Sequence, residues 1–204
     1  MNIPLIGVST DKDHGLIAGR IRFDGLTPYI DGGTDYRETV RSIPKDGDER
    51  HPILIVDVSG LQKGGIDTML LKSLKIRGAS TWFMTHIVTV DDLFDAFNTD
   101  ADMILVPIHT VLSRSELTDM HDVSDSIIPA IIVRNGVSSF CGRRYRPDVL
   151  TEMITDMGFP SAAVFDIDGT ITADMWGRIC TSCDALTFGY DKAELSETRF
   201  TEIL

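Results

Sequence analysis

The chain has few cysteines, few basic residues and no long hydrophobic run. Three cysteines in 204 residues are too few for the disulfide framework that small secreted domains need. Lysine and arginine number 19 against 31 acidic residues, and the resulting net charge of −12 argues against binding to nucleic acid or to an anionic membrane. No apolar run approaches the roughly 20 residues of a spanning helix, and the first residues lack the pattern of a signal peptide. We therefore expect an acidic, cytoplasmic protein without nucleic-acid or membrane partners.

The composition is that of a globular domain with a sizeable core. Hydrophobic residues make up 43% of the chain and charged residues 25%, and no linker, repeat or low-complexity segment divides the sequence. We therefore treat residues 1–204 as a single domain. Cys180 and Cys183 share one predicted helix, and without a second ligand pair they are interpreted as thiols. We expect no metal and no cofactor.

Predicted strands and helices alternate along the chain. Apolar runs rich in Ile and Val, bounded by turn residues, predict strands at 3–9, 52–59, 80–87, 102–110, 127–134, 161–168 and 183–190. Segments with helical character lie between and after them, at 34–43, 66–77, 89–98, 113–122, 147–157, 173–182 and 191–204.

This alternation predicts an α/β protein whose parallel strands are joined by right-handed crossovers. About seven βα units fit a TIM-type (βα) barrel better than a doubly wound sheet, although periodicity alone does not separate the two. The chain is short for eight units, so we expect an incomplete or irregular barrel. Residues 15–23 are a candidate for additional β structure beside the first strand.

Four segments follow one another in an order typical of a known family. They are HPILIVDVSGLQKGGIDTMLLKSL, WFMTHIVTVDDLFDAF, ADMILVPIHTVLSRSEL and IIPAIIVRNG, which together span residues 51–136. This order resembles strands two to five of the ProFAR isomerase family of histidine biosynthesis and its paralogues. IPLIGV, FDIDGTIT and FGYDKAEL also occur where the first, sixth and seventh strands of that family would lie. The resemblance implies a phosphate-binding barrel with its active site at the carboxyl ends of the strands.

The chain departs from that family at its chemical positions. The resemblance places acid–base aspartates at the ends of strands one and five, where this chain has Gly7 and Ile132. Neither side chain can transfer a proton, so we expect no ProFAR isomerase activity. His86 and its neighbours replace the family's glycine pair after strand three, which removes one backbone nest for phosphate. Thr110 and Gly189 match the family's phosphate side.

Polar residues that follow predicted strands supply the candidate site. Asp57 and Asp166 end strands at the expected catalytic edge, and they are the candidate catalytic residues. The candidate phosphate-binding residues are His109, Thr110, Asp168, Gly169, Thr170 and Gly189. The alternative for both aspartates is that they accept hydrogen bonds from their own turns. His86 and His109 could ligate a metal, but we favour two structural histidines.

Residues 163–172, AVFDIDGTIT, also match the first motif of haloacid-dehalogenase-type phosphatases. In that family the first aspartate attacks phosphorus and the second serves as general acid. Too little chain follows Asp168 for the family's downstream lysine and acidic magnesium pair. The phosphatase is therefore the third interpretation.

Two other functions are favoured over the phosphatase interpretation. The first is a phosphate-binding barrel protein that acts on or binds a phosphorylated small metabolite. The second is a non-catalytic binding or scaffold protein on the same barrel, which a mouth filled by side chains would favour. Because an incomplete barrel exposes strand edges, we expect a homodimer, or a gap covered by residues 15–23.

Overall fold

The computed structural model describes residues 3–11, 15–42, 52–189 and 200–201. The strands are β1 (Leu5–Asp11), β2 (Gly15–Asp24), β3 (Thr27–Asp35), β4 (Pro52–Asp57), β5 (Ser80–Met84), β6 (Met103–Pro107), β7 (Ile127–Val133), β8 (Ser138–Phe140), β9 (Arg143–Tyr145), β10 (Ser161–Asp166), β11 (Asp184–Gly189) and β12 (Phe200–Thr201). The helices are α1 (Tyr36–Ser42), α2 (Val58–Lys63), α3 (Thr68–Ser73), α4 (Val90–Phe97), α5 (Arg114–Val123), α6 (Pro147–Asp156) and α7 (Ala173–Ser182). None of these helices combines the length and apolar character needed to cross a bilayer.

One curled, mostly parallel sheet forms a half-barrel. Its order is β12-β11-β10-β7-β6-β5-β4-β1-β2-β3, so the eight strands from β12 to β1 lie in chain order without a reversal. Each of these strands is parallel to the next. A doubly wound sheet would reverse the order of its parallel strands at one point, and these eight parallel strands do not. The order turns only at β1, where the antiparallel strands β2 and β3 are added. The α/β class and the alternation of strands and helices predicted from the sequence are confirmed.

The sheet does not close among the described residues, where β12 and β3 are its two ends. The prediction of β structure at residues 15–23 is confirmed, because β2 pairs antiparallel with β1 from Gly7↔Gly19 to Asp11↔Gly15. Strand β3 then pairs antiparallel with β2 and completes a hairpin. The helix predicted at 191–204 lies outside the described residues except at Phe200–Thr201, which form β12 instead. The short helix α2 and the β8–β9 hairpin were not predicted.

Alternating side chains divide the core between the two faces of the sheet. In β4, Ile53 and Ile55 belong to the larger cluster, which also contains helix residues such as Leu93 and Leu150. Leu54 and Val56 belong to a second cluster formed mainly by strand residues. The first cluster therefore marks the helix side of the sheet. We call the other side the concave face.

The β2–β3 hairpin packs against this concave face. Ile21 is buried in the second cluster, and Phe23, Leu26 and Ile30 are partly buried against it. Ile21 lies so close to Gly7 that a Cβ atom on Gly7 would be 2.6 Å from the isoleucine Cγ1. Glycine at position 7 therefore provides the space into which the hairpin packs.

Candidate functional site

Asp57 projects to the helix side of the sheet and supports a turn. It ends β4 in alternation with Ile53 and Ile55, and its side chain is 1% exposed. Its carboxylate accepts a hydrogen bond from the Gly60 N–H at 2.8 Å and another from the Thr85 hydroxyl at 2.9 Å. Burial raises the pKa of this carboxyl in spite of both bonds. Asp57 thereby caps helix α2 and joins it to the end of β5.

Asp166 has the same orientation at the end of β10, and it is 2% exposed. Its two carboxylate oxygens accept the backbone N–H groups of Thr170 and Ile171, each at 3.0 Å, and the backbone of Gly169 adds a further bond. Burial is the main reason that its pKa is raised. Successive backbone N–H groups of this kind form an anion-binding nest, and here the protein's own carboxylate fills it.

The turn that follows Asp166 is bonded to the turn after β7. Asp168 accepts the Asn135 N–H at 2.7 Å and the Thr170 hydroxyl at 2.7 Å. The same Thr170 oxygen accepts the Gly136 N–H at 2.7 Å. Gly169 has a φ of 66°, a left-handed conformation that glycine adopts without strain. These contacts give Asp168 and Thr170 a structural role in joining the two turns.

The remaining predicted site residues lie at the same edge of the sheet. The Thr110 hydroxyl donates to the Ile87 carbonyl at 2.5 Å and to the Pro107 carbonyl at 2.7 Å, so its proton is engaged within the protein. Gly189 ends β11 directly beside Asp166 in the strand register.

Asp57 and Asp166 are not neighbours, because β5, β6 and β7 separate their strands. The proposed pair of catalytic carboxylates is thus distributed over two distant strand ends.

Two histidines follow neighbouring strands at the carboxyl edge of the sheet. His86 lies two residues beyond the end of β5, and His109 lies two residues beyond the end of β6, in the turn closed by the hydrogen bond from the Thr110 N–H to the Pro107 carbonyl. Each has a buried Nδ1 atom without a hydrogen-bond partner in the described part of the chain. Burial lowers the pKa of His109 to about 4, with a further contribution from His86. The His109 imidazole is therefore neutral at pH 7.

Arg134 follows the next strand, β7, on the same face as Ala130 and Ile132. Its side chain is exposed, and its Nη1 atom lies 3.4 Å from the position that a Cβ atom on Gly25 would occupy. Gly25 is in the turn between β2 and β3, so the arginine reaches the tip of the hairpin.

His86, His109 and Arg134 together form what we call the nitrogen cluster, at the carboxyl ends of β5, β6 and β7. Sequence reasoning proposed His109 as a phosphate-binding residue and considered His86 only as a metal ligand beside it, and it did not identify Arg134. The signal that could have found Arg134 is its position directly after the apolar run of β7.

A group of hydroxyls extends the same edge toward β1. The Ser59 Oγ atom lies 2.9 Å from Ser9 Oγ and accepts the Thr10 N–H at 3.0 Å. Ser9 follows Leu5 and Gly7 in alternation, which places it on the concave side. The polar rim of the concave face therefore contains hydroxyl groups as well as nitrogens, and sequence reasoning did not identify these hydroxyls.

The described residues contain no group of three or more histidine, cysteine or acidic side chains arranged to hold a metal ion. Cys180 is exposed and Cys183 is half-buried, and both are free thiols. Burial raises the pKa of Cys183 to about 11, which opposes formation of the thiolate that metal binding or redox chemistry requires.

A separate charged cluster joins α6 to α7. Asp148 is 4% exposed and accepts hydrogen bonds from Arg146 at 2.7 Å and Arg178 at 2.6 Å, while Arg178 also pairs with Asp174. Burial opposes ionisation of Asp148, but the bonds from Arg178 and Arg146 hold its pKa below the ordinary value. This cluster serves helix packing and is distinct from the concave rim.

Comparison of the sequence with protein-family models and with curated proteins finds no match.

Proposed function

We propose that this protein binds a phosphorylated small molecule at the concave side of its carboxyl edge, and that Asp57 and Asp166 do not transfer protons there. One observation carries the proposal. The strand-end carboxylates project to the helix side and accept hydrogen bonds within the protein, whereas His86 and His109 at the same edge have buried Nδ1 atoms without a hydrogen-bond partner among the described residues. In a chain of net charge −12, this division leaves nitrogen donors where a ligand would enter.

The chemistry of the nitrogen cluster suits an anion. An arginine fork binds phosphate or carboxylate oxygens through two N–H groups, and a neutral imidazole contributes one N–H donor. A bound anion would favour the protonated form of His109 and would raise its pKa from the value that burial imposes. We therefore expect phosphate binding to strengthen as the pH falls toward 4.

The strand arrangement supports descent from a TIM-type barrel. Eight parallel strands in chain order, with helix residues concentrated in one of two core clusters, are features of such barrels. The relationship to the ProFAR isomerase family stays a hypothesis. Ile21 occupies the space beside Gly7, where that family would have a catalytic aspartate, so this hypothesis also predicts no isomerase activity.

A non-catalytic scaffold is the second candidate, and the hairpin favours it. Ile21, Phe23, Leu26 and Ile30 pack on the concave face that a substrate of a barrel enzyme would approach. A scaffold would bind a partner molecule without any response to small anions. For the phosphatase interpretation, Asp166 would need an oxygen free to attack phosphorus, and both of its oxygens accept backbone N–H groups.

Titration with inorganic phosphate tests the proposed function. We expect the wild type to gain thermal stability, by about 2.7 kcal/mol at a hundred times the Kd, and the side-chain NMR signals of His86 and His109 to shift. Arg134→Gln should weaken binding about tenfold or more, because it removes the charged fork.

Arg114→Gln is the matched control, since Arg114 is an exposed arginine at the start of α5 on the helix side. Equal weakening by both substitutions would indicate binding by overall charge alone and would contradict the assigned site. A wild type whose melting temperature and histidine signals do not respond to phosphate would favour the scaffold.

A further inference from the structure

The β2–β3 hairpin has a glycine-rich bend at its base. The pairing of its two strands shifts register between Ala18 and Arg20. At that bulge a Cβ atom on Gly19 would lie 3.0 Å from the Cα atom of Gly33, so the two backbones approach too closely for side chains. Gly32 beside them has a φ of 70°. We call this bend the glycine hinge (Gly19, Gly32 and Gly33) and the part beyond it, residues 20–31, the distal hairpin.

Apolar contacts and a hydrogen bond to α2 hold the distal hairpin on the concave face. Ile21 and Pro28 are buried, and Phe23, Leu26 and Ile30 are partly buried. A side-chain hydrogen bond connects the hairpin to α2, from Gln62 Nε2 to the Pro28 carbonyl at 2.8 Å. A single bond of this kind contributes about 0.5–1.5 kcal/mol, so its loss would measurably increase local opening.

The turn of the distal hairpin lies against Arg134 of the nitrogen cluster. Arg134 Nη1 approaches Gly25 at the tip, although Arg134 directly follows β7 and the hairpin is attached to β1 at the other side of β4, β5 and β6. The hairpin therefore extends across the concave face from β1 to the position of Arg134. A ligand that reaches Arg134 from the concave side therefore meets the turn of the distal hairpin.

We propose that the distal hairpin is a hinged cover of the ligand site, which opens at the glycine hinge to admit a small anion and is held closed through Arg134 when the anion is bound. The inference rests on the proposed function, because it assigns the regulation of access to that same site. An anion bound to the guanidinium restricts Arg134, and the hairpin turn that packs on Arg134 is restricted with it. Gln62 is the positioning residue that holds the cover in the empty protein.

Hydrogen exchange of the full chain tests the cover. In the wild type we expect the amides of residues 22–30 to exchange faster than those of β5 and β6, and saturating inorganic phosphate to slow them several-fold. Gln62→Leu removes the bond to Pro28 and should speed exchange of these amides about 2- to 10-fold in the empty protein. It should also speed both association and dissociation of phosphate. Thr118→Val is the control, since it removes an exposed bond from a side chain to the Arg114 carbonyl in α5.

Three results would contradict the proposal, and each can be distinguished from the others. Phosphate that shifts the His86 and His109 signals while exchange of the distal hairpin stays unchanged would show a static wall, and would overturn the cover alone. Faster exchange of the whole sheet in Gln62→Leu would show general destabilisation and would also overturn it. The absence of any phosphate effect on the histidines would overturn the proposed function, and the ligand coupling with it.

Discussion

His109 should make the folded protein lose stability as the solution becomes mildly acidic. Its pKa falls from an ordinary value of about 6.5 in the unfolded chain to about 4 in the folded one, mainly because of burial and secondarily because of His86. Between these two values the unfolded state binds a proton that the folded state does not bind. The contribution of His109 to the stability of the folded protein is therefore complete above about pH 6.5 and is lost as the pH falls toward 4.

The size of the effect follows from the shift. Each pKa unit corresponds to about 1.4 kcal/mol, so a lowering of the His109 pKa by roughly 2.5 amounts to an upper limit of about 3.5 kcal/mol in the free energy of unfolding. Urea unfolding from about pH 7 to about pH 5 would measure the slope. His109→Gln keeps a polar side chain of similar size without a titration in this range. The difference between wild type and variant removes the contributions of carboxyl groups that both proteins share.

Two results would refute this reasoning. The first is an equal dependence of unfolding free energy on pH in the wild type and in His109→Gln. The second is a His109 pKa near 6.5 in an NMR titration of the folded protein without phosphate. Either would mean that solvent reaches the imidazole freely and that the burial in the structure does not persist in solution.

Four further outcomes are expected. Asp166→Asn should lower the unfolding free energy by about 1–3 kcal/mol, because an amide cannot accept all the N–H groups of the turn, and unchanged urea unfolding would contradict the structural role. Asp148→Asn should lower the unfolding free energy by a similar amount near pH 7. The loss should be smaller as the pH falls through the lowered pKa of Asp148, because the wild type loses its charged pairs there. An equal difference in unfolding free energy between wild type and variant at all pH values would show that the charge is irrelevant. Gly7→Ala should lower the unfolding free energy by about 1–3 kcal/mol, because the added Cβ atom would contact Ile21. In a double-mutant cycle, Ile21→Ala should remove the part of this loss that comes from the contact, and additive effects of the two substitutions would argue against the contact. Purified protein should show no turnover of ProFAR, and measurable turnover would refute this prediction.

The two aspartates at strand ends illustrate which features of the site could be predicted from the sequence. Asp57 and Asp166 were found because each follows an apolar run, and their alternative role as turn acceptors was recognised from residue type. Their direction depends on the register of the whole sheet, in which Asp57 alternates with Ile53 and Ile55 on the helix side. A side chain at a strand end can face either layer, and a pattern of apolar residues buried on both faces does not distinguish them.

The sequence by itself determined the alternation of strands and helices, the parallel pairing and the place of the polar turns, because these follow from local periodicity and from short connections. Only the tertiary structure decided that Ile21 packs over Gly7, that Gln62 bonds Pro28 and that Arg134 reaches Gly25. These contacts join residues far apart in the chain, and they arise when the hairpin adds to the edge of β1 and extends across the concave face. A local pattern specifies which surface of an element is apolar, whereas the element that covers this surface is selected by the packing of the whole chain.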